Sequence, residues 1–172
     1  MEEKTEKKKN EEQVLTPQDQ EWMEEAVRLS AESIHKGGGP FGAVIVKDGK
    51  VIAARSNSVT LDNDPTAHAE VNCIREACSK LGTYDLSGSV IYTSCEPCPM
   101  CLGAIYWAHI DRIYYANNRK YAGRICFDDD FIYRELEVKN MADRHTPIIH
   151  LPLDSALQVF RDWDEKKDKT EY

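Results

Sequence analysis

Four side chains in this sequence have the types and spacing that metal-assisted hydrolysis needs: His68, Glu70, Cys98 and Cys101. His68-Ala69-Glu70 is followed, about thirty positions later, by Pro97-Cys98-Pro99-Met100-Cys101. Two residues separate the cysteines, so one helical turn presents both sulfurs to one ion. Imidazole and thiolate are ligands that zinc takes. A structural zinc site is closed by four protein ligands, whereas a catalytic site keeps a position for water, and here the count is three. Zinc lowers the pKa of such a water toward about 7. Glu70, two residues from His68, has the chemistry to take that proton and later return it.

Cys95 complicates the count, because Cys95, Cys98 and Cys101 form a Cys-x-x-Cys-x-x-Cys run. An iron–sulfur run of this kind wants a further cysteine at position 105 followed by proline. Ile105 and Tyr106 stand there instead. Cys95 as a fourth zinc ligand would make a closed structural site, and a zinc-stabilised binding module without turnover is the reading that goes with it. The place of Cys95 before Glu96-Pro97, outside the expected helix, argues against that, and so does Glu70, since a closed site needs no proton shuttle. Cys73, Cys78 and Cys126 have no partner spacing and read as small apolar residues.

The elements that must position these residues follow from turn signals and periodicity. Thr16-Pro17 starts a helix, with Met23, Ala26, Val27, Ser30 and Ile34 expected on its inner face, and Gly37-Gly38-Gly39-Pro40 stops it. Phe41–Val46 and Val51–Ala54 flank Lys47-Asp48-Gly49-Lys50 and read as a β-hairpin. A helix over 67–81 ends at Gly82; a strand over 89–93, a helix over 98–108 and a strand over 112–116 follow. Both chemical motifs thus fall at helix N-termini, where unpaired N–H groups and the helix dipole favour thiolate. Further along, 131–138 reads as helix, 147–151 as strand and 155–163 as helix. A hairpin followed by alternating helix and strand indicates a central sheet flanked by helices.

The chain of 172 residues suits one domain with a single core. Residues 1–14 read as a charged, disordered arm and 15–172 as the domain. Six cysteines without an export signal point to metal binding in a reducing compartment rather than to disulfides. Neither a membrane-length apolar run nor a secretory signal is present, so a cytoplasmic location is expected. The formal net charge is −8, and each twelve-residue end carries only −1 of it. An acidic body disfavours a polynucleotide partner, whose phosphates call for Lys and Arg, and suits a small neutral substrate.

At these residues the sequence resembles the cytidine deaminase superfamily of nucleoside and nucleobase deaminases. Asn63 to Val71, Tyr92 to Ala108 and Gly38 to Val46 look like its guanine deaminase branch. The resemblance implies a three-layer α/β/α sandwich around a five-stranded mixed sheet. It implies one zinc per subunit on His68, Cys98 and Cys101, with Glu70 as proton shuttle and Cys95 outside the ligand set. It implies hydrolysis of guanine to xanthine and ammonia, with a tRNA adenosine deaminase and a guanosine deaminase as the rival activities. Asp129, in Phe127 to Tyr133, is implied as a second catalytic carboxylate. Asn57, Phe41, Ala69, Trp107 and the terminal Tyr172 are implied as substrate contacts. A homodimer is implied too, in which the C-terminal segment crosses to the partner's site.

Overall fold

The computed structural model describes residues 15–171. The expected arm over 1–14 lies outside the described residues. Helix α1 (Pro17–His35) opens on a capping box: Thr16 Oγ1 accepts from the Asp19 amide at 3.1 Å, and the Asp19 carboxylate accepts from the Thr16 amide at 2.8 Å. Strands β1 (Gly42–Lys47) and β2 (Lys50–Ser56) form the expected hairpin. Its two turn residues, Asp48 and Gly49, both have positive φ (51° and 71°), which is why the Asp-Gly pair stands there. Then come α2 (Val59–Asp62), α3 (Ala69–Leu81), β3 (Ser89–Cys95), α4 (Pro99–Trp107) and β4 (Arg112–Asn117). The C-terminal part holds α5 (Arg119–Arg124), α6 (Asp130–Glu137), a 3₁₀ turn over Met141–Asp143, and α7 (Asp154–Glu165).

The sheet has the order β2-β1-β3-β4, with β1 antiparallel to both its neighbours and β3 parallel to β4. Strand alternation explains the continuous apolar run in β1. Ala43 and Ile45 face a core shared with α3 and α4, and Val44 and Val46 face one shared with α1. Ile91 and Tyr92 of β3 divide the same way. Helices therefore cover both faces, giving the three layers expected.

Two expectations are corrected. The sheet has four strands among the described residues, not five. The stretch 147–151 forms no strand: Pro147 lacks a ladder donor, and Ile149 and Leu151 are 71% and 78% exposed instead of paired. The inner face of α1 runs through Trp22, Met23, Ala26, Leu29 and Ser33, while Val27 and Ile34 point outward. Val27 and Ile34 lie one position past the buried Ala26 and Ser33.

Candidate metal centre and its cavity

The two chemical motifs meet at one end of the sheet. His68 is the N-cap of α3 and Cys98 the N-cap of α4, so both stand at helix starts as their sequence positions required. Cys101 follows in the first turn of α4, facing inward and fully buried. The Nδ1 of His68 lies 3.6 Å from Cys98 Sγ and 3.5 Å from Cys101 Sγ, and the three ligand atoms all fall within 4.8 Å of one another. That cluster and its nitrogen–sulfur donor set fit a zinc ion held by three protein ligands. Cys95 is buried at the end of β3 and stands outside the cluster.

The electrostatics suit a cation here. The hydrogen bond from Cys101 holds the Cys98 thiol down at about 4, with the His68 ring adding to the effect against the cost of burial. The bond to Cys98 in turn raises the His68 pKa. Cys98 beside it, then burial and the Glu70 charge, push the Cys101 thiol far upward. Burial lifts the Cys95 thiol to about 11, so it stays protonated.

Glu70 stands in the first turn of α3 and is only 6% exposed. Thr93 Oγ1 donates to its Oε1 at 3.1 Å, and the Cys101 thiol donates to its Oε2 at 3.4 Å. Burial is the main cause of a raised Glu70 pKa. Thr93 went unassigned in the sequence. It reaches Glu70 because β3 alternates, which sends Thr93 to the face that Ile91 occupies.

A cavity of about 630 Å³ opens from this centre. Its walls include His68, Glu70, Cys98, Phe41, Asn57 and Asp129. Asn57 is buried, and its Oδ1 accepts from the amides of Gly39 and Val59, both at 3.2 Å, which fixes the orientation of the amide. The glycine loop is a steric requirement: a Cβ on Gly38 would collide with Ser33 Oγ and the Asn57 carbonyl. Phe41 meets Phe127 edge-on at 4.9 Å, joining the sheet side of the cavity to the C-terminal side.

Asp129 comes to this cavity from the other direction, as the N-cap of α6. Its Oδ1 is buried without a hydrogen-bond partner, and desolvation, then the nearby Cys98 charge, raises its pKa. Tyr133, one turn along α6, donates its hydroxyl to the Pro97 carbonyl at 3.0 Å. The Arg119 guanidinium stacks 4.3 Å from the centroid of the Tyr133 ring, and the Arg119 amide donates to Glu96 Oε2 at 3.0 Å. None of these three supports carried a signal in the sequence.

Two expected contacts, Ala69 and Trp107, are not among the described residues that line the cavity. Ala69 is fully buried in the apolar core beneath it. Trp107 is 65% exposed, because Cys101, Ile105 and Ala108 take the inner face of α4 and position 107 points the other way. Tyr172 lies outside the described residues.

The chain belongs to the family of the cytidine and deoxycytidylate deaminase zinc-binding region, which matches residues 16–117. Within that class, it is 50% identical over 152 residues to guanine deaminase from Bacillus subtilis (strain 168), covering 88% of this chain and 97% of that one. It is similar to the crystal structure of guanine deaminase from Bacillus subtilis, with a TM-score of 0.86, 49% identity, and coverage of 89% of this chain and 98% of that one. Similarity to the tRNA-specific adenosine deaminase of Bacillus subtilis (strain 168) is 40% over 96 residues, 56% of this chain and 60% of that one.

Proposed function

We propose that this chain hydrolyses guanine to xanthine and ammonia, with zinc held by His68, Cys98 and Cys101. The observation that carries the reading is two carboxyl groups on one cavity beside the metal cluster. Glu70 is buried against the Cys101 sulfur, and Asp129 offers a buried Oδ1 with no partner. Zinc, when bound, supplies a water acidified toward neutral pH. In the hydrolysis Glu70 would hold a proton taken from the attacking water and hand it to ring nitrogen N3 as the water oxygen bonds to C2. Glu70 would then take the remaining hydroxyl proton and, assisted by Asp129, deliver it to the exocyclic nitrogen, so that C2=O forms as the C2–N bond breaks and ammonia leaves. Guanine carries N–H donors side by side on one edge, which the unpartnered Asp129 oxygen is suited to accept. The Asn57 NH₂ is the end of that amide left to donate to the base, and Phe41 is the apolar wall.

The likeness to guanine deaminase supports this over an RNA substrate. A span of 152 residues in a chain of 172 necessarily includes Asp129. The net charge of −8 also disfavours an anticodon loop. The working unit is a homodimer whose C-terminal segments cross between subunits. Two observations support that. Leu151, Phe160 and their apolar neighbours are exposed on the single chain. Glu171 rests on Tyr84, beyond the C-terminal end of α3, whereas Glu70 is at its N-terminal end, roughly 20 Å away. A tail placed there does not cover the cavity of its own chain. No described helix is long and apolar enough to cross a membrane.

Ammonia release by purified, zinc-loaded protein tests the reading. Guanine, guanosine, adenine, adenosine, cytosine and an anticodon stem-loop are run side by side. The expected result is ammonia and xanthine from guanine. Turnover confined to the stem-loop would replace this reading with the tRNA-directed one.

A further inference from the structure

Among the described residues no other side chain hydrogen-bonds the Asp129 carboxylate. It makes no cap hydrogen bond to its own helix, and its Oδ1 is buried without a partner. Its location must therefore come from the backbone of α6. That helix spans only Asp130–Glu137 and is largely exposed, so it has little packing of its own to fix it. Tyr133 supplies the missing link. Its amide donates to the Asp129 carbonyl at 3.3 Å, and its hydroxyl donates to the Pro97 carbonyl at 3.0 Å. The Pro97 carbonyl belongs to the planar peptide unit that carries the Cys98 nitrogen. A short chain of bonds thus runs from Asp129 through Tyr133 to the first cysteine of the metal cluster. Arg119 braces it: its guanidinium covers the Tyr133 ring, and its amide is tied to Glu96, the residue before Pro97.

We infer that Tyr133 is a positioning residue, whose hydroxyl sets where the Asp129 carboxylate stands relative to His68, Cys98 and Cys101. This rests on the reading of Asp129 as the substrate-facing carboxylate. Tyr133 touches neither the metal cluster nor the substrate; it acts by registering α6 against the loop over 96–98. A misplacement of an ångström in such a group is enough to slow a reaction by about 100-fold. A bond that served folding alone would change stability and leave the kinetics as they were.

The test is a double-mutant cycle of Tyr133→Phe and Asp129→Asn, read by zinc content, melting temperature, and kcat and KM for guanine. Y133F is expected to keep its zinc and its melting temperature and to lose about 10- to 100-fold in kcat/KM, mostly in kcat. In the D129N background, adding Y133F should cost less than about twofold, because the group it positions is already gone. Equal losses in both backgrounds, a Y133F rate within about twofold of the parent, or loss of zinc or of the folded state in Y133F each overturns the inference. The reading of Asp129 is judged separately by D129N alone. Full activity there removes both that reading and this one, whereas an impaired D129N beside an unimpaired Y133F removes only this one.

Discussion

A carboxyl buried as Glu70 is, with one hydroxyl and one thiol for partners, is held toward its neutral form by lost hydration. Folding alone gives no reason to keep it there; a proton shuttle does. Glu70→Ala is therefore expected to keep its zinc and to lose turnover by at least about 10²- to 10⁴-fold, the usual worth of general acid–base assistance. Metal analysis and ammonia release together check this, and a variant that retains substantial activity would remove Glu70 from the proton path. Cys98→Ala should behave in the opposite way and lose the metal. Because metal binding and folding are coupled, its melting temperature should fall as well, and chelation of the parent protein should reproduce that fall. A Cys98→Ala protein with a full complement of zinc would show that the ion sits elsewhere. The His68, Cys98 and Cys101 group was legible because each ligand lies within a few residues of a helix start and two residues separate the cysteines, while the meeting of the two motifs rests on the fold. Thr93 and Tyr133 were not, since their contacts with Glu70 and Pro97 depend on strand register and on the return of a distant helix.

Elements with strong terminal signals could be read from sequence nearly to the residue. Thr16-Pro17, the Asp48-Gly49 turn and Gly82, which caps α3 with φ of 65°, all act through the local backbone. Short α5 gives no sequence signal, because six residues carry no periodicity, and the stretch 147–151 stays unpaired although β2 and β4 each leave an open edge. The N-terminus of α1 is more than a cap. The Tyr92 hydroxyl donates to Asp19 Oδ1 at 2.5 Å, so the capping carboxylate also ties α1 to β3. Bonds from the Thr16 hydroxyl, then Tyr92, lower the Asp19 pKa below its ordinary 3.8. A depressed carboxylate stabilises the fold above its unfolded value and loses that contribution as pH falls through its folded one. Asp19→Asn should therefore unfold at a lower temperature than the parent at neutral pH, and the gap should narrow below pH 3.8. Thr16→Ala should cost about 1 kcal/mol at neutral pH, a shift of roughly 2–4 °C in a protein of this size. Scanning calorimetry across pH separates the two; a gap for Asp19→Asn that stayed constant into acid would mean that the charge is not what holds the helix end.

At the scale of the whole molecule, the single chain leaves apolar surface uncovered. Beyond β4 it leaves Ile149, Leu151, Leu153, Val159 and Phe160 between 58% and 78% exposed, a concentration that a soluble monomer does not ordinarily present. Covering those residues and closing the cavity are met together if two chains exchange their C-terminal segments. Light scattering should then give twice the chain mass. Removing Lys169 to Tyr172 should lower guanine turnover with little loss of folded structure, because the bonds described for Lys169 and Glu171 run to Asp164, on the same terminal segment, and to the exposed Tyr84 hydroxyl. Exchange makes a sharper prediction than either result. A Glu70→Ala subunit has an intact tail and a dead site; a tail-deleted subunit has an intact site and no tail. Unfolded together and refolded, they should recover activity that neither shows alone, since in the mixed dimer the good tail reaches the good site. If each tail served its own chain, mixing would recover nothing, and the exposed apolar stripe would have to be explained by an interface that leaves the site untouched.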